Sequence, residues 1–200
     1  MPRAFAKISF TPAVLAIQER QGSAENYEGF LAHDTESADR LGSAEMEFIT
    51  TMDGFFQATV SENGWPYVQF KGGPKGFLKV LDDKTIAYAD FRGNRQYLST
   101  GNLAENDRIS IILMDYPNRK RLKIWGRVKL VETSDNPLLI KQLQPENYRA
   151  FPERAIVITV EAIDWNCPQH IPQRMTREEL EPEFSALRDE ITRLKQELSQ

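Results

Sequence analysis

The chain has 200 residues, 40% apolar and 27% charged, with a formal net charge of −4. Its 11 Phe, 6 Tyr and 3 Trp exclude disorder over most of the length. A single Cys excludes an intrachain disulfide, two His argue against a zinc or two-His iron site, and no apolar run reaches the ~20 residues of a membrane span. No membrane partner is expected. The opening MPRAFAKISFTP lacks the apolar core of a signal peptide, so a cytoplasmic location is the expectation.

In chain order, residues 11–20 predict a short helix, with Thr11 as N-cap and Pro12 at the first helical position. Residues 21–42, rich in Gly, Ser, Asp and Glu, predict a loop. Ser43 opens a second helix, with Glu45 and Glu47 near its first turn. The period then shifts to that of strands. Phe55–Val60 and Tyr67–Phe70 flank Glu62-Asn63-Gly64 and predict a hairpin. Phe77–Leu81 and Thr85–Ala89 flank Asp82-Asp83-Lys84 and predict another. Ile109–Met114 is nearly continuous in apolar residues, which predicts a strand buried on both faces.

Arg121–Val131 alternates, with Leu122, Ile124, Val128 and Leu130 on one face and Arg121, Lys123 and Trp125 on the other. Gly126 within that run marks a bulge or bend. Ala155–Ala162 adds a last strand. Six or seven strands on short turns, with few helices, predict a small antiparallel barrel occupying 1–175. From 176 to 200 the pattern becomes helical. Leu180, Phe184, Leu187, Ile191, Leu194 and Leu198 step by 4, 3, 4, 3, 4, an a/d seam that covers either its own domain or another copy's tail.

Charge is unevenly spread. Residues 66–130 hold 13 basic and 6 acidic residues, inside a chain that is acidic elsewhere. A basic segment of this kind suits an anionic ligand; a nucleic-acid face is the rival, weakened by the acidic total. Three stretches carry the chemistry. In Gln69-Phe-Lys-Gly-Gly-Pro-Lys-Gly76 a strand ends in Lys71 and two Gly permit close backbone approach. In Asp90-Phe-Arg-Gly-Asn-Arg-Gln-Tyr97 a strand ends and a helix is expected to begin near Asn94, with Arg92 and Arg95 at its start. Cations at a helix N-terminus are unfavourable unless an anion joins them, which points to a phosphate. In Arg119-Lys-Arg-Leu-Lys-Ile-Trp-Gly126 cations flank a Trp on one strand face, suited to an anionic aromatic ligand or simply to solvent. Cys167 has no activating neighbour and reads as inert; His33 and His170 read as structural or solvated. No catalytic acid, base or nucleophile stands out.

The stretches GWPYVQFKGGPKGFLKVLDD, FRGNRQYLSTGNLAENDRISIILMDYPNRKRLKIWG and DWNCPQHIPQR resemble the pyridoxamine 5′-phosphate oxidase-related family of FMN-binding split barrels, over about residues 5–174. The resemblance implies a mainly β fold with peripheral helices: a six-stranded antiparallel split barrel, here with a C-terminal helix. It implies FMN as cofactor, a homodimer with FMN at the interface, flavin oxidoreductase chemistry on an unidentified small molecule, and no nucleic-acid partner. A non-catalytic flavin carrier or sensor is the alternative the same fold permits. By residue, it implies that Val68, Gln69 and Lys71 lie along the flavin, followed by Ala89 and Asp90. Asn94, Arg95 and Gln96 fall at the family's phosphate clamp, with Ser99 nearby. Arg121 falls where the family reaches the other subunit's flavin, Arg121 and Lys123 are candidates to stabilise the anionic reduced flavin, and Trp165 falls near a family Trp on the C-terminal strand. The vitamin B6 oxidases end in an Arg-Leu-His-Asp-Arg segment that holds substrate; here the chain reads Asn166-Cys-Pro-Gln-His-Ile-Pro-Gln-Arg174 instead.

Overall fold

The computed structural model describes residues 3–31, 39–165 and 168–198. Near the N-terminus lie α1 (Arg3–Ser9), α2 (Pro12–Arg20), a 3-10 turn (Ala24–Asn26) and the four-residue α3 (Glu28–Leu31). Thr11 caps α2 as expected, its Oγ1 accepting from Val14 N at 3.4 Å. The expected loop after residue 20 instead carries the 3-10 turn and α3, and α1 had no sequence signal of its own. α1 exists because it has something to cover: Phe5 meets Trp125 at a ring separation of 5.0 Å, and Ala4 and Phe5 are buried with Ala162. Tertiary burial thus supports a helix too short to form alone.

Helix α4 (Ser43–Thr51) follows. Its cap is Gly42 rather than Ser43, and Glu45 accepts from Gly42 N at 2.9 Å. Next come β1 (Gly54–Val60), β2 (Pro66–Gly72), β3 (Lys79–Val80), β4 (Thr85–Phe91), α5 (Leu98–Glu105), β5 (Arg108–Asp115), β6 (Lys120–Glu132), α6 (Pro137–Leu143), β7 (Pro152–Trp165) and α7 (Arg177–Glu197). The strands form one antiparallel sheet in the order β2-β1-β5-β6-β7-β4-β3. Mainly β architecture with helices on the periphery is therefore present, with seven strands rather than six because the two-residue β3 adds one. The expected strand 77–81 is shorter than its apolar run, since Phe77 and Leu78 are buried in the core without pairing.

Both hairpins form. Gly64 takes φ 85 in the first turn, a conformation that favours glycine. The bulge expected at Gly126 is there: Trp125 pairs with Ala162 while Gly126 pairs with Val160. A Cβ on Gly126 would lie 2.5 Å from the Thr159 carbonyl oxygen, so glycine is what lets the two longest strands approach. The two-sided burial expected for 109–114 is corrected. Ile109, Ile111 and Leu113 enter the core, whereas Ile112 and Met114 are only partly covered on the opposite face. An apolar run reports hydrophobicity on both faces, not whether both are covered within one chain.

The core lies between one face of the sheet and α4, with Phe55, Phe77 and Tyr88 in mutual ring contact. Tyr88 Oη donates to Gln57 Oε1 at 2.5 Å, and burial together with the Asp90 charge pushes the phenol well above its ordinary value. A second cluster packs α6 on β4 and β7 through Ile140, Leu143, Ala87, Ala89 and Ala155. α7 contributes no buried residue. Among the described residues no helix is long and apolar enough to cross a membrane.

Candidate functional site

Alternation along β2 divides its side chains between two faces. Tyr67, Gln69 and Lys71 share one face with Thr59, Gln57 and Phe55 of β1, whereas Pro66, Val68 and Phe70 share the other with Val60, Ala58 and Phe56. Tyr67, Gln69 and Lys71 border a cleft of about 230 Å³, closed by the end of β4, the loop after it and the start of α5. Gln69, Lys71, Asp90, Asn94, Arg95, Gln96 and Ser99 all line it. Seven of the twelve residues expected at a cofactor site therefore come together from four segments.

Their geometry is specific. Lys71 Nζ meets Asp90 Oδ1 at 2.8 Å, and Asp90 Oδ2 meets Arg154 Nη1 at 3.1 Å. Arg154 also reaches Glu132 at 3.0 Å, and Glu153 holds Arg92 at 2.9 Å. Ser99 Oγ donates to Gln69 Oε1 at 3.0 Å, and Asn102 of α5 donates to Thr59 of β1 at 3.0 Å, so side chains fasten α5 across the β1–β2 pair. Glu153 sits below the ordinary glutamate range. Burial alone would raise it, but hydrogen bonds from Arg92 and Tyr97 and the charges of Arg92 and Arg154 outweigh that.

The helix begins at Leu98, four residues later than expected near Asn94. Residues 94–97 form a loop instead, with Arg95 at φ 63 and Tyr97 at φ 54. Two bulky residues in the left-handed region within three positions store backbone strain at this site. Asn94 Oδ1 accepts from Gln96 N at 3.1 Å inside the loop. Tyr97, at the N-cap position, offers no side-chain acceptor to α5, whose first residues Leu98, Ser99 and Thr100 line the cleft. The N-terminal N–H groups of α5 thus border an open space, as an anion site requires. Arg95 makes no ion pair among the described residues. Its Nε donates to the Tyr97 hydroxyl at 3.4 Å, and that bond together with the Tyr97 and Glu153 charges raises its pKa.

The other five expected residues lie elsewhere. Val68 is 61% exposed on the opposite face of β2. Ala89 points into the α6 cluster, because neighbouring residues of a strand face opposite ways. Arg121 and Lys123 lie on the outer face of β6, opposite the buried Leu122 and Ile124; Lys123 pairs with Asp164 at 3.6 Å. Trp165 packs edge-on against Phe48 at 4.8 Å and donates its indole N–H to Glu45 at 2.6 Å. One chain therefore does not bring Arg121, Lys123 or Trp165 to the cleft. His33 and Cys167 fall outside the described residues; His170 is exposed in a turn at φ 64. Among the described residues no cluster of three or more His, Cys, Asp or Glu could hold a metal ion.

Sequence reading missed Glu153 and Arg154, which back the cleft from β7. Their signal lay in register, since Asp90 pairs opposite Arg154, and the sequence does not print which strands pair. It missed α6 as well, although Asn136-Pro137 is an N-cap followed by a first-position proline.

On the outer face, Phe56, Phe70 and Val68 are 38%, 57% and 61% exposed beside the partly covered Ile112 and Met114. Phe70 lies over Gly54 and Gly72 and meets Phe56 at 5.2 Å. Arg121 is the cross-strand neighbour of Met114, and Lys123 of Ile112, so two cations border this apolar surface.

A family model described as pyridoxamine 5′-phosphate oxidase matches residues 43–167. Two crystal structures of tagged HupZ from Group A Streptococcus share the fold. One, of a variant, has TM-score 0.52 and 19% identity over 62% of this chain and 98% of that one. The other has TM-score 0.51 and 19% identity over 68% and 100%. An FMN-binding protein from Syntrophomonas wolfei superposes with TM-score 0.48, at 14% identity over 61% and 86%. No curated protein is significantly similar in sequence.

Proposed function

The chain belongs to the pyridoxamine 5′-phosphate oxidase family, and on that premise we propose that it is an FMN-binding split-barrel flavoprotein, homodimeric, with oxidoreductase activity on a small molecule. The observation that carries this reading is the cleft at the start of α5. Uncapped helical N–H groups, Arg95 outside any ion pair among the described residues, and the side chains of Asn94, Gln96 and Ser99 border one space. These groups fit a phosphate ester: the helix terminus supplies N–H donors and positive potential, and Arg95 a charged fork.

Size supports a shared site. A volume of about 230 Å³ falls below the roughly 300–1,000 Å³ of pockets that enclose a drug-sized ligand. It accommodates a phosphate and its chain, while a flat ring system would overhang toward a second wall. The exposed surface of Phe56, Val68 and Phe70, bordered by Arg121 and Lys123, is the surface we assign to a second subunit. In that dimer the Arg121 and Lys123 side chains approach the partner's cleft, which accounts for their absence from the cleft of their own chain.

Bound FMN supplies the hydride chemistry. Lys71 and Gln69 orient the group from β2, with Lys71 fixed by Asp90 and Gln69 by Ser99. Non-catalytic flavin carriage is the second reading, and one observation favours it: both carboxylates of the cleft, Asp90 and Glu153, are engaged by cations of the chain rather than left free to face a substrate.

Fluorescence titration of the purified protein with FMN and with riboflavin tests the reading. FMN is expected to bind more tightly, and Arg95→Ala to weaken FMN by about tenfold or more with little effect on riboflavin. Equal affinity of the unaltered protein for the two flavins overturns it. Stopped-flow reduction by candidate donors then separates an oxidoreductase from a carrier.

A further inference from the structure

We propose that α7 pairs with α7 of a second copy as a parallel, two-stranded coiled coil. Beyond its first turn, where Leu180 is half-buried, the helix leaves its apolar stripe uncovered among the described residues. None of its residues is buried, and Phe184, Leu187, Ile191 and Leu194 are exposed along one stripe. It is nevertheless a well-defined 21-residue helix: Thr176 Oγ1 accepts from Glu179 N, and the Glu179 carboxylate accepts from Thr176 N at 2.8 Å. An apolar stripe over three heptads demands a partner.

The residues between the stripe identify that partner. With Phe184, Ile191 and Leu198 at a and Leu180, Leu187 and Leu194 at d, the g positions are Glu183, Glu190 and Glu197. The e positions are Glu181, Arg188 and Lys195. In a parallel pair each g faces the e of the next heptad across the seam. Glu183 then meets Arg188 of the partner subunit, and Glu190 meets Lys195 of the partner subunit, each pair occurring twice by symmetry. In an antiparallel pair g faces g and e faces e, which opposes Glu to Glu at every g and Arg188 to Arg188, and matches only Glu181 with Lys195. The charges therefore complement a second copy of this helix best in the parallel orientation, where all four g–e contacts join opposite charges. Leu at every d, with Ile191 at a central a position, favours two strands over three.

Pairs within one helix do not compete strongly. Arg193, on the outside of the stripe, bonds Glu190 at 2.6 Å and Glu197 at 2.8 Å, and Arg188 bonds Glu181. These are exposed pairs, which contribute little and rearrange readily. Parallel pairing also needs both helices to leave from equivalent anchored points. Gln173 Nε2 donates to the Pro117 carbonyl at 2.9 Å, and the Arg174 guanidinium lies 4.9 Å from the Tyr116 ring centre. The chain just before α7 is thus held to the β5–β6 turn, so the helix starts from a fixed place on each copy.

Site-specific disulfide formation in the full-length chain tests this, in a Cys167→Ser background so that the introduced thiol is the only one. Leu198→Cys, on the seam, is expected to give interchain disulfide rapidly under mild oxidation, and Asp189→Cys, on the outside, to give little. In an antiparallel pair Leu198 lies opposite the other end of the seam, about 27 Å from its own counterpart, and does not link. Adding Glu183→Lys with Glu190→Lys should slow linkage at 198 several-fold, and further adding Arg188→Glu with Lys195→Glu should restore it. No linkage at 198, linkage at 198 and 189 at equal rates, or indifference to the charge reversals overturns the proposal. Positions 183, 188, 189, 190, 195 and 198 are exposed, so these changes leave the barrel's core untouched, and the readout does not depend on flavin binding.

Discussion

Lys71 and Asp90 close the floor of the cleft through an ion pair 2.8 Å long between strands that are not neighbours in the sheet. Asp90 is shared, because its second oxygen holds Arg154 at 3.1 Å. One carboxylate thus joins two cations in a region that is largely shielded from water, with Glu132 sharing Arg154.

Replacing it by an isosteric amide tests that balance. Asp90→Asn should lower stability by roughly 1–3 kcal/mol, because the partly buried Lys71 loses its counter-charge and Arg154 keeps only its Glu132 and Glu153 partners. The same change should tighten binding of inorganic phosphate, since Lys71 is released toward the cleft. Thermal denaturation and calorimetric titration measure the two effects. Unchanged stability together with unchanged phosphate affinity would show that the pair is incidental.

Gly126→Ala probes the sheet itself. The new methyl would meet the Thr159 carbonyl oxygen at 2.5 Å and Ile158 Cγ2 at 2.7 Å, and the first of these is backbone that cannot swing aside. A loss of about 1–3 kcal/mol is expected from this overpacking, read as a lower melting temperature. Gly93→Ala, with nothing within 4 Å of the added atom, is the control.

The proposed barrel dimer depends on the outer face of β1 and β2. Phe56→Glu should yield a monomer by size-exclusion chromatography with light scattering, and FMN affinity should fall with it, because a cofactor shared between subunits couples binding to association. Deleting residues 177–200 should instead leave an FMN-retaining dimer with a lower melting temperature, since three heptads alone are marginal. A folded monomer after the deletion would make the tail the dimerisation element.

Oxidation of pyridoxamine 5′-phosphate itself is expected to be negligible. The Arg-Leu-His-Asp-Arg segment by which the vitamin B6 oxidases hold substrate is replaced here by a different sequence after Trp165. A robust rate of pyridoxal phosphate formation with added FMN would show that other residues hold that substrate.

Acid should loosen the cleft. Glu153 is depressed in the folded chain relative to its ordinary value of 4.5, so its stabilising contribution is complete above that value and disappears as pH falls through the lower folded one. Melting temperatures from about pH 6 down to about pH 3 should decline, and Glu153→Gln should remove part of that decline. An identical pH profile for the variant would assign the acid sensitivity to other carboxylates.

Local patterns in the sequence determined the elements. Thr11-Pro12, Asn63-Gly64 and Gly126 act through their own backbone chemistry, so the first helix they announce, the hairpin turn and the bulge are where they indicate. Alternation also put Arg121, Lys123 and Trp125 on one strand face without reference to any neighbour. Motif resemblance carried the chain to its family and to seven of the residues that line the cleft. Pairing decided the rest. Whether Arg154 meets Asp90, whether Ala89 faces α6 or the cleft, and that Arg121 lies on the far side of the sheet from Lys71 all follow from strand order and register. Those depend on contacts between segments far apart in the chain, and a single sequence encodes them only through the summed packing of the whole core. α7 is the reverse case: its heptad pattern is complete in the sequence, and the fold leaves its apolar stripe in the open because the core is already filled without it.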